Sequence, residues 1–524
     1  MLLRLYDGAN TVGGNKIYLT DHRHGVFLDF GLNFVEYNKY FKEFIDLSFA
    51  RGIHDFLEMS LVPKVDIYRK DLYPLYLRRE DMDKIQVDAV LISHAHADHF
   101  GLVGLLDIDI PIMASPETLA LIKAYQDSGR TKEHYSVIYS VIREPYENEP
   151  FYKDTWALLK KKRIGNNKAA DKYMLFRKLI PTEAISANFK EFITNLGTGS
   201  KQAYKTEVAK THLKFGDPEE LPWKIESYTV DHSIYGAVGF VIHTDSHKIA
   251  YTGDLRAHGE RSRRTWEFVQ AAKNSDVLII EGTRVSSDKE HSYTEEKDVK
   301  ENCSMVVSEY DGKIVMADFS SRNFERLTIF REIARENGRK LVITEKDAYA
   351  ISGLLSAGTD IDTDSIFIYP KAYLNTSWWQ KELSNSELWK DRYVNPIDIR
   401  ESPGEYVLAF SLYDITNLLD IKPDGGVYIY SSTEAFTEEM ELDFITLNNW
   451  LVKYGIMSVG FKIVDGRPVF ERGYHSSGHA TPEDIEKIID IVDPDIIVPV
   501  HTEHPEWFSE KYGDKVKTGR EIIF

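Results

Sequence analysis

The sequence predicts an α/β protein built from two kinds of layer, on three observations. Residues 15–31 read as a hairpin: the arm NKIYLT, the polar turn DHRHG, then VFLDFG. Residues 237–254 repeat that pattern as AVGFVIHT, DSHK and IAYTGD. Each second arm ends in an aspartate beside a glycine (Asp29 with Gly31, Asp254 with Gly253), which points to two layered sheets related by pseudo-symmetry. From 286 to 455 strands alternate with helices, the pattern of parallel α/β units.

The other elements follow in order. DAVLIS (88–93) is an apolar strand, HAHADH (94–99) a polar loop, and FGLVGLLD (100–107) the start of a helix. The stretch 115–222 reads as mostly helical. NSDVLIIEGTR (274–284) is a buried strand running into a loop. KIVMADF, KLVIT and VYIYS are strands of the third part, and NFERLTIFREIARENG is one of its helices. Near the end, Thr481 caps a helix, Pro482 takes its first position and Asp484 completes a capping box. The expected division is 1–285, with a basic helical insertion at about 125–222, then 286–455, then 456–524.

Composition narrows the function classes. The 524 residues are 43 % hydrophobic and 28 % charged, so the chain is neither disordered nor fibrous. The net charge of −19 disfavours a general nucleic-acid surface, so any such role needs a local exception. Residues 151–216 supply one: 14 Lys and Arg against 5 Asp and Glu, a net +9, including Lys160, Lys161, Lys162 and Arg163. Tyr173, Phe176, Phe189 and Tyr204 lie among these charges, where they could stack on bases. The alternative is a solvated basic face. Cys303 is the sole cysteine, so a metal site must use His and carboxylates. No export signal and no run of 18 apolar residues is present, so a cytoplasmic protein without membrane contact is expected.

The chemistry concentrates in H-x-H-x-D-H. In an extended loop, residues two apart point the same way, so His94 and His96 can share one metal ion. Asp98 and His99 start the next helix and face a second. Imidazole and carboxylate are the ligands zinc takes without thiols, and manganese is the alternative ion. Two ions need more donors, and His232, Asp254 and His501 each lie at a strand end.

These motifs, with Asp29 in LDFG, resemble the ordered motifs of the metallo-β-lactamase superfamily. Glu281 in LIIEGTR, His479 in SSGHA and His501 in VPVHTEH resemble the signatures of its β-CASP nuclease branch, and SGHA before a capped helix is most similar to ribonuclease J. SSRNFER (320–326) resembles a segment of the inserted β-CASP domain. The resemblance implies a four-layer αββα sandwich with an inserted α/β β-CASP domain. It implies RNA phosphodiester hydrolysis by water activated on two zinc ions. His94, His96, His232 and Asp254 would bind one ion; Asp98, His99, His501 and the shared Asp254 the other. Asp29 would fix the ligand loop. His479 would protonate the leaving oxygen and Glu281 would keep it charged. Ser476, Ser477, Gly478, Ser321, Arg322 and Arg326 are candidate phosphate contacts.

The chain departs from that family in the long gap between His99 and His232, and in Ser431–Phe436, where a Gly-Glu-Pro stretch would stand. DNA in place of RNA, exonucleolytic or endonucleolytic cutting, and a monomer or a homodimer all stay open. The rival readings are a hydrolase of the same fold acting on a small ester, thioester or cyclic phosphodiester, and a binding module without activity.

Overall fold

The computed structural model describes residues 1–524 apart from 43–44, 130–132, 147–157, 163–169, 199, 287–293, 372–374 and 433–437. Two sheets stack face to face. The first has seven strands in the order Leu179–Pro181, Ile112–Ala114, Ala89–Leu91, Gly25–Leu28, Lys16–Thr20, Leu2–Asp7 and Glu521–Ile523. The second has five, in the order Lys224–Thr229, Val238–His243, Lys248–Tyr251, Val277–Glu281 and Ile496–Val500. Both hairpins expected from the sequence form, with Ile17 opposite Leu28 and Phe240 opposite Tyr251.

Strand alternation decides the layers. Ile17, Leu19, Val26 and Leu28 point into the space between the sheets, where they meet Phe240, Ile242, Ile279 and Val498. Tyr18 and Phe27 point the other way, towards helical elements that include Phe56 and Leu119. On the far side of the second sheet, Val241, Leu278 and Ile497 pack on Phe268, Ile488 and Phe508 of three helices. The result is an αββα sandwich assembled from both ends of the chain.

The inserted part is a sheet of six parallel strands, ordered Ile366–Tyr369, Lys340–Thr344, Tyr406–Ala409, Ile314–Asp318, Gly426–Tyr430 and Ile456–Val459. It is covered on both faces, as parallel sheets are. Ile314 and Met316 enter one core, Val315 and Ala317 the other. The second of these cores is continuous with the helical layer of the sandwich, through Leu121 and Ile122 on one side and Ile351 and Leu354 on the other.

Two expectations are corrected here. The inserted sheet does not stop at 455: its sixth strand is Ile456–Val459, and the hairpin Phe461–Phe470 packs Phe461 on Phe444 at 5.0 Å between ring centroids. The apolar residues past Gly455 continue the same core, so no break falls there. The stretch 115–222 is mixed rather than mostly helical. Besides the helices Pro116–Ser128, Ala187–Thr194 and Ser200–His212, it forms short strand pairs at Tyr139–Val141 with Met174–Phe176 and Arg143–Pro145 with Leu159–Lys161. It also supplies the edge strand Leu179–Pro181 to the first sheet. Three-residue strands are too short to show a period of two.

Part of the basic island is used within the fold. Arg177 is fully buried and donates to five backbone carbonyls, among them those of Asp107 at 2.7 Å and Ile110 at 2.6 Å. Lys162 pairs with Glu144, Lys178 with Glu220 and Lys210 with Glu207. Phe189 is completely buried and cannot stack on a base. Arg163 lies outside the described residues.

Candidate metal centre

The strand Ala89–Leu91 ends at the mouth of the sandwich, and the chain turns there into the short helix Ala97–Phe100. Asp29 holds this turn. Its backbone is left-handed, with φ of 60°, which swings the carboxylate under the loop. It accepts from the Ser93 amide at 2.7 Å, the Ser93 hydroxyl at 2.8 Å, the Tyr251 hydroxyl at 2.5 Å and His99 Nδ1 at 2.7 Å. Gly31 is required beside it, because a Cβ there would lie 1.6 Å from the carbonyl oxygen of Asp98. Asp29→Asn replaces an acceptor by a group that is half donor. We expect it to destabilise the protein by about 1–3 kcal/mol in chemical denaturation, and to weaken metal affinity roughly 10- to 100-fold in competition with a chelator.

The imidazole tautomers follow from the partners. His94 Nδ1 donates to Ser93 Oγ at 3.0 Å, and His99 Nδ1 to Asp29. His232 Nδ1 donates to the Gly478 carbonyl at 2.6 Å, and His501 Nδ1 to the Thr283 hydroxyl at 2.8 Å. All four therefore turn Nε2 to the same space. His96 presents Nδ1 instead, 2.9 Å from His94 Nε2 and 3.2 Å from His232 Nε2. Asp254, from the end of the hairpin Val238–Tyr251, places Oδ2 at 3.1 Å from His99 Nε2, 3.6 Å from His501 Nε2 and 3.7 Å from His94 Nε2. Asp98 Oδ2 lies 3.2 Å from His501 Nε2.

This donor set suits a metal. His99 Nε2 and Asp254 Oδ1 are buried with no hydrogen-bond partner among the described residues, a costly state for a protein that binds nothing there. Burial, reinforced by neighbouring imidazoles, holds His94 and His232 well below the usual histidine range, and burial brings His96 down to about 3. Those rings are neutral and ready to ligate. Burial opposes a charge on His99, but Asp254, Asp98 and Asp29 outweigh it and push that ring up. Burial likewise opposes ionisation of Asp98 and Asp254, yet His99 and His501 hold both carboxyls below their usual range. Among the described residues they group as His94, His96, His232 and Asp254, as Asp98, His99 and His501, and as Asp254, His479 and His501. The seven positions predicted from scattered motifs are thus brought together.

The pocket continues to a second polar group. Glu281, buried at the end of Val277–Glu281, accepts from the Leu255 amide at 3.0 Å, the Thr283 hydroxyl at 2.5 Å and His479 Nδ1 at 3.1 Å. Burial opposes a charge on His479, but Glu281, Asp254 and Asp98 raise it to about 9. Thr283 escaped the sequence reading. Its hydroxyl donates to Glu281 and accepts from His501. Ser93 and Tyr251 were missed likewise; each is an ordinary strand-end residue by its neighbours. His96, Asp98 and His479 are the partly exposed members, so they mark the open side.

The expected phosphate contacts fare unevenly. Arg326 is withdrawn from that set. It is fully buried, paired with Glu296 at 2.8 Å and bonded to the Ser431 carbonyl at 2.7 Å. The same acid pairs with Arg256, which also holds Asp231 and Glu325, so the network ties the sandwich to the inserted part. Arg326→Met should cost about 3–5 kcal/mol of stability, measured by urea unfolding, because it leaves buried carboxylates short of a cation. Ser476 is buried at 4 % exposure, away from solvent. Ser477 Oγ accepts the His479 amide and the Gly478 carbonyl accepts His232, so this loop uses those groups internally. Thr481 caps the following helix, but Asp484 does not complete the box; its carboxylate lies 3.9 Å from His258. Ser321 and Arg322 lie near Phe100, which ends the short helix carrying Asp98 and His99. They line a cavity of about 350 Å³ with Phe100, Tyr125 and Tyr135, and the Arg322 guanidinium lies 4.9 Å from the Tyr125 ring centre.

Comparison with known proteins agrees with this geometry. Residues 58–134 match the metallo-beta-lactamase superfamily, and residues 470–517 match the Zn-dependent metallo-hydrolase RNA specificity domain. The two matched domains and the relatives support a ribonuclease J-like member of the metallo-β-lactamase superfamily. The chain is 26 % identical to "Ribonuclease J" of Mycoplasma pneumoniae over 55 % of this chain and 48 % of the relative. It is 21 % identical to "Ribonuclease J" of Sinorhizobium meliloti over 84 % of this chain and 61 % of the relative. The chain thus spans about half the length of the first of these relatives and under two thirds of the second. A crystal structure of a protein of unknown function from Enterococcus faecalis V583 shares the fold, with a TM-score of 0.64 and 22 % identity, covering 100 % of this chain and 99 % of that one. Among the described residues no helix is long and apolar enough to cross a membrane.

Proposed function

We propose that this protein is a zinc-dependent ribonuclease that hydrolyses RNA phosphodiester bonds. The observation that carries the reading is the convergence: four imidazoles with Nδ1 tied and Nε2 turned towards one buried carboxylate. In this reading His94, His96, His232 and Asp254 hold one zinc ion, and Asp98, His99, His501 and Asp254 a second. When bound, the two ions acidify a water and neutralise charge on the attacked phosphate, and manganese can take the same donors.

The remaining work falls to the chain itself. Asp29 fixes the loop and the His99 tautomer. Asp98, its side chain 23 % exposed, orients the attacking water as an acceptor. Glu281 holds a proton on His479 Nδ1, so the opposite ring nitrogen can give its own proton to the leaving oxygen. Ser321 and Arg322 steady the phosphate backbone at the opening. RNA is favoured over DNA by the match of residues 470–517 and by the names of the relatives.

End-labelled RNA and DNA incubated with wild type and Asp98→Ala, with zinc or manganese, test the reading. Wild type should cut RNA, and the variant should lose on the order of 10³-fold in rate. Released mononucleotides identify an exonuclease and a fragment ladder an endonuclease. Equal rates in the two proteins would defeat the mechanism, and preference for DNA would defeat the substrate class.

A further inference from the structure

The loop that carries His479 lies between the strand Arg467–Phe470 and the helix Pro482–Val492, and residues 475–480 form neither strand nor helix. Its place is therefore set by hydrogen bonds to other segments. One wall is the metal centre. The Gly478 carbonyl accepts from His232 Nδ1 at 2.6 Å, and a Cβ on Gly478 would lie 3.2 Å from His232 Cε1. The other wall is the segment that follows Asp254. The Leu255 carbonyl accepts the Ala480 amide at 2.7 Å, and the Leu255 amide donates to Glu281 at 3.0 Å. Two side chains of the same segment donate to the Ser477 carbonyl, Arg256 Nη1 at 3.4 Å and His258 Nε2 at 3.1 Å. The carbonyls of both residues before His479 are thus tied, one to a proposed metal ligand and one to this segment.

His258 is the part of the clamp with the fewest other duties. Arg256 also pairs with Asp231, Glu296 and Glu325, so its loss would disturb the packing of the inserted part. His258 touches neither the metal donors nor the proposed proton donor among the described residues. A carbonyl can only accept, so its Nε2 carries a proton. Its side chain is 3 % exposed, and its Nδ1 faces the Asp484 carboxylate at 3.9 Å, in the first turn of the helix after the loop. The ring therefore spans the two ends of the segment that carries His479.

We infer that His258 is a positioning residue for proton transfer: by holding the Ser477 carbonyl it aims His479 at the leaving oxygen. The inference rests on the reading of His479 as the proton donor. A group misplaced by about 1 Å can cost on the order of 10²-fold in rate, so one lost hydrogen bond at the base of the loop is enough to be read in kcat.

The test uses the full chain loaded with zinc and two RNA oligonucleotides, one natural and one with sulfur in place of the bridging oxygen that leaves. A thiolate departs without a proton, so the second substrate does not call on the general acid. His258→Ala should lower kcat on natural RNA by about 10- to 100-fold with KM unchanged, and should cut the sulfur substrate as fast as wild type. His258→Leu fills the buried space without a donor and should behave in the same way. His258→Gln keeps a donor and should restore most of the rate. Metal content by elemental analysis should match wild type in all three. In a His479→Ala background, His258→Ala should cause no further loss. Equal slowing of both substrates, slowing of neither, or a further loss in that background would overturn the inference and leave the ribonuclease reading standing. Failure of the wild type to cut RNA at all would overturn both.

Discussion

Asp254→Ala is expected to empty the metal centre. Wild-type protein dialysed without chelator should carry two ions per chain by elemental analysis on the reading proposed here, and the variant fewer than one. The reason is geometric. Asp254 Oδ2 lies within 3.7 Å of Nε2 atoms from three histidines, His94, His99 and His501, in both proposed halves. Removing it takes a donor and a negative charge from each half at once. Loss of an outer partner of a metal ligand already costs roughly 10- to 100-fold. Loss of a shared ligand should cost the RNA-cleaving rate on the order of 10³-fold or more. A second readout is independent of activity. Metal that binds the native state alone raises the melting temperature, so chelation should lower it in wild type and leave the variant unmoved. Asp254→Asn keeps the volume and removes the charge, and should match Asp254→Ala in metal content. Two ions retained in either variant would separate Asp254 from the metals.

How much of this could be read from the sequence differs by level. H-x-H-x-D-H was legible because four ligand-type residues in six positions have few other uses. His232, Asp254 and His501 were legible only in company with it, since each is a lone residue at a strand tip. The hairpins announced themselves because strand alternation is local. The hydroxyls that support the ligands were not legible: Thr283 follows a glycine in an ordinary loop, Ser93 precedes the motif, and Tyr251 sits in a strand where a tyrosine needs no explanation. Their roles arise from contacts between segments far apart in the chain, such as Tyr251 on Asp29. Arg326 shows the opposite error. An arginine near a helix start suggests a free cation, and its burial against Glu296 depends on a second helix about thirty residues earlier. Within residues 151–216 net charge counts cations without showing their partners: Arg177 and Lys162 spend theirs on carbonyls and a neighbouring acid.

Glu281→Gln is expected to move the alkaline limb of the pH–rate profile to lower pH. A general acid works while protonated, so the rate falls as pH rises through its pKa. Burial alone would lower His479; Glu281, Asp254 and Asp98 raise it to about 9, which keeps it charged at neutral pH. Two of those three carboxylates belong to the proposed metal set and are neutralised once ions bind. Glu281 does not, and its bond to Nδ1 at 3.1 Å is the contribution that persists in the loaded protein. The glutamine variant therefore holds the proton less tightly, loses rate most at high pH, and recovers part of it when the pH is lowered. His479→Ala removes the proton donor outright. It should lower kcat by about 10²- to 10⁴-fold at every pH and abolish the limb. The two substitutions together separate roles that one alone would confuse. A limb that stays in place in Glu281→Gln, with kcat merely scaled down, would make Glu281 a structural anchor for Leu255 and Thr283 instead of the group that keeps His479 charged.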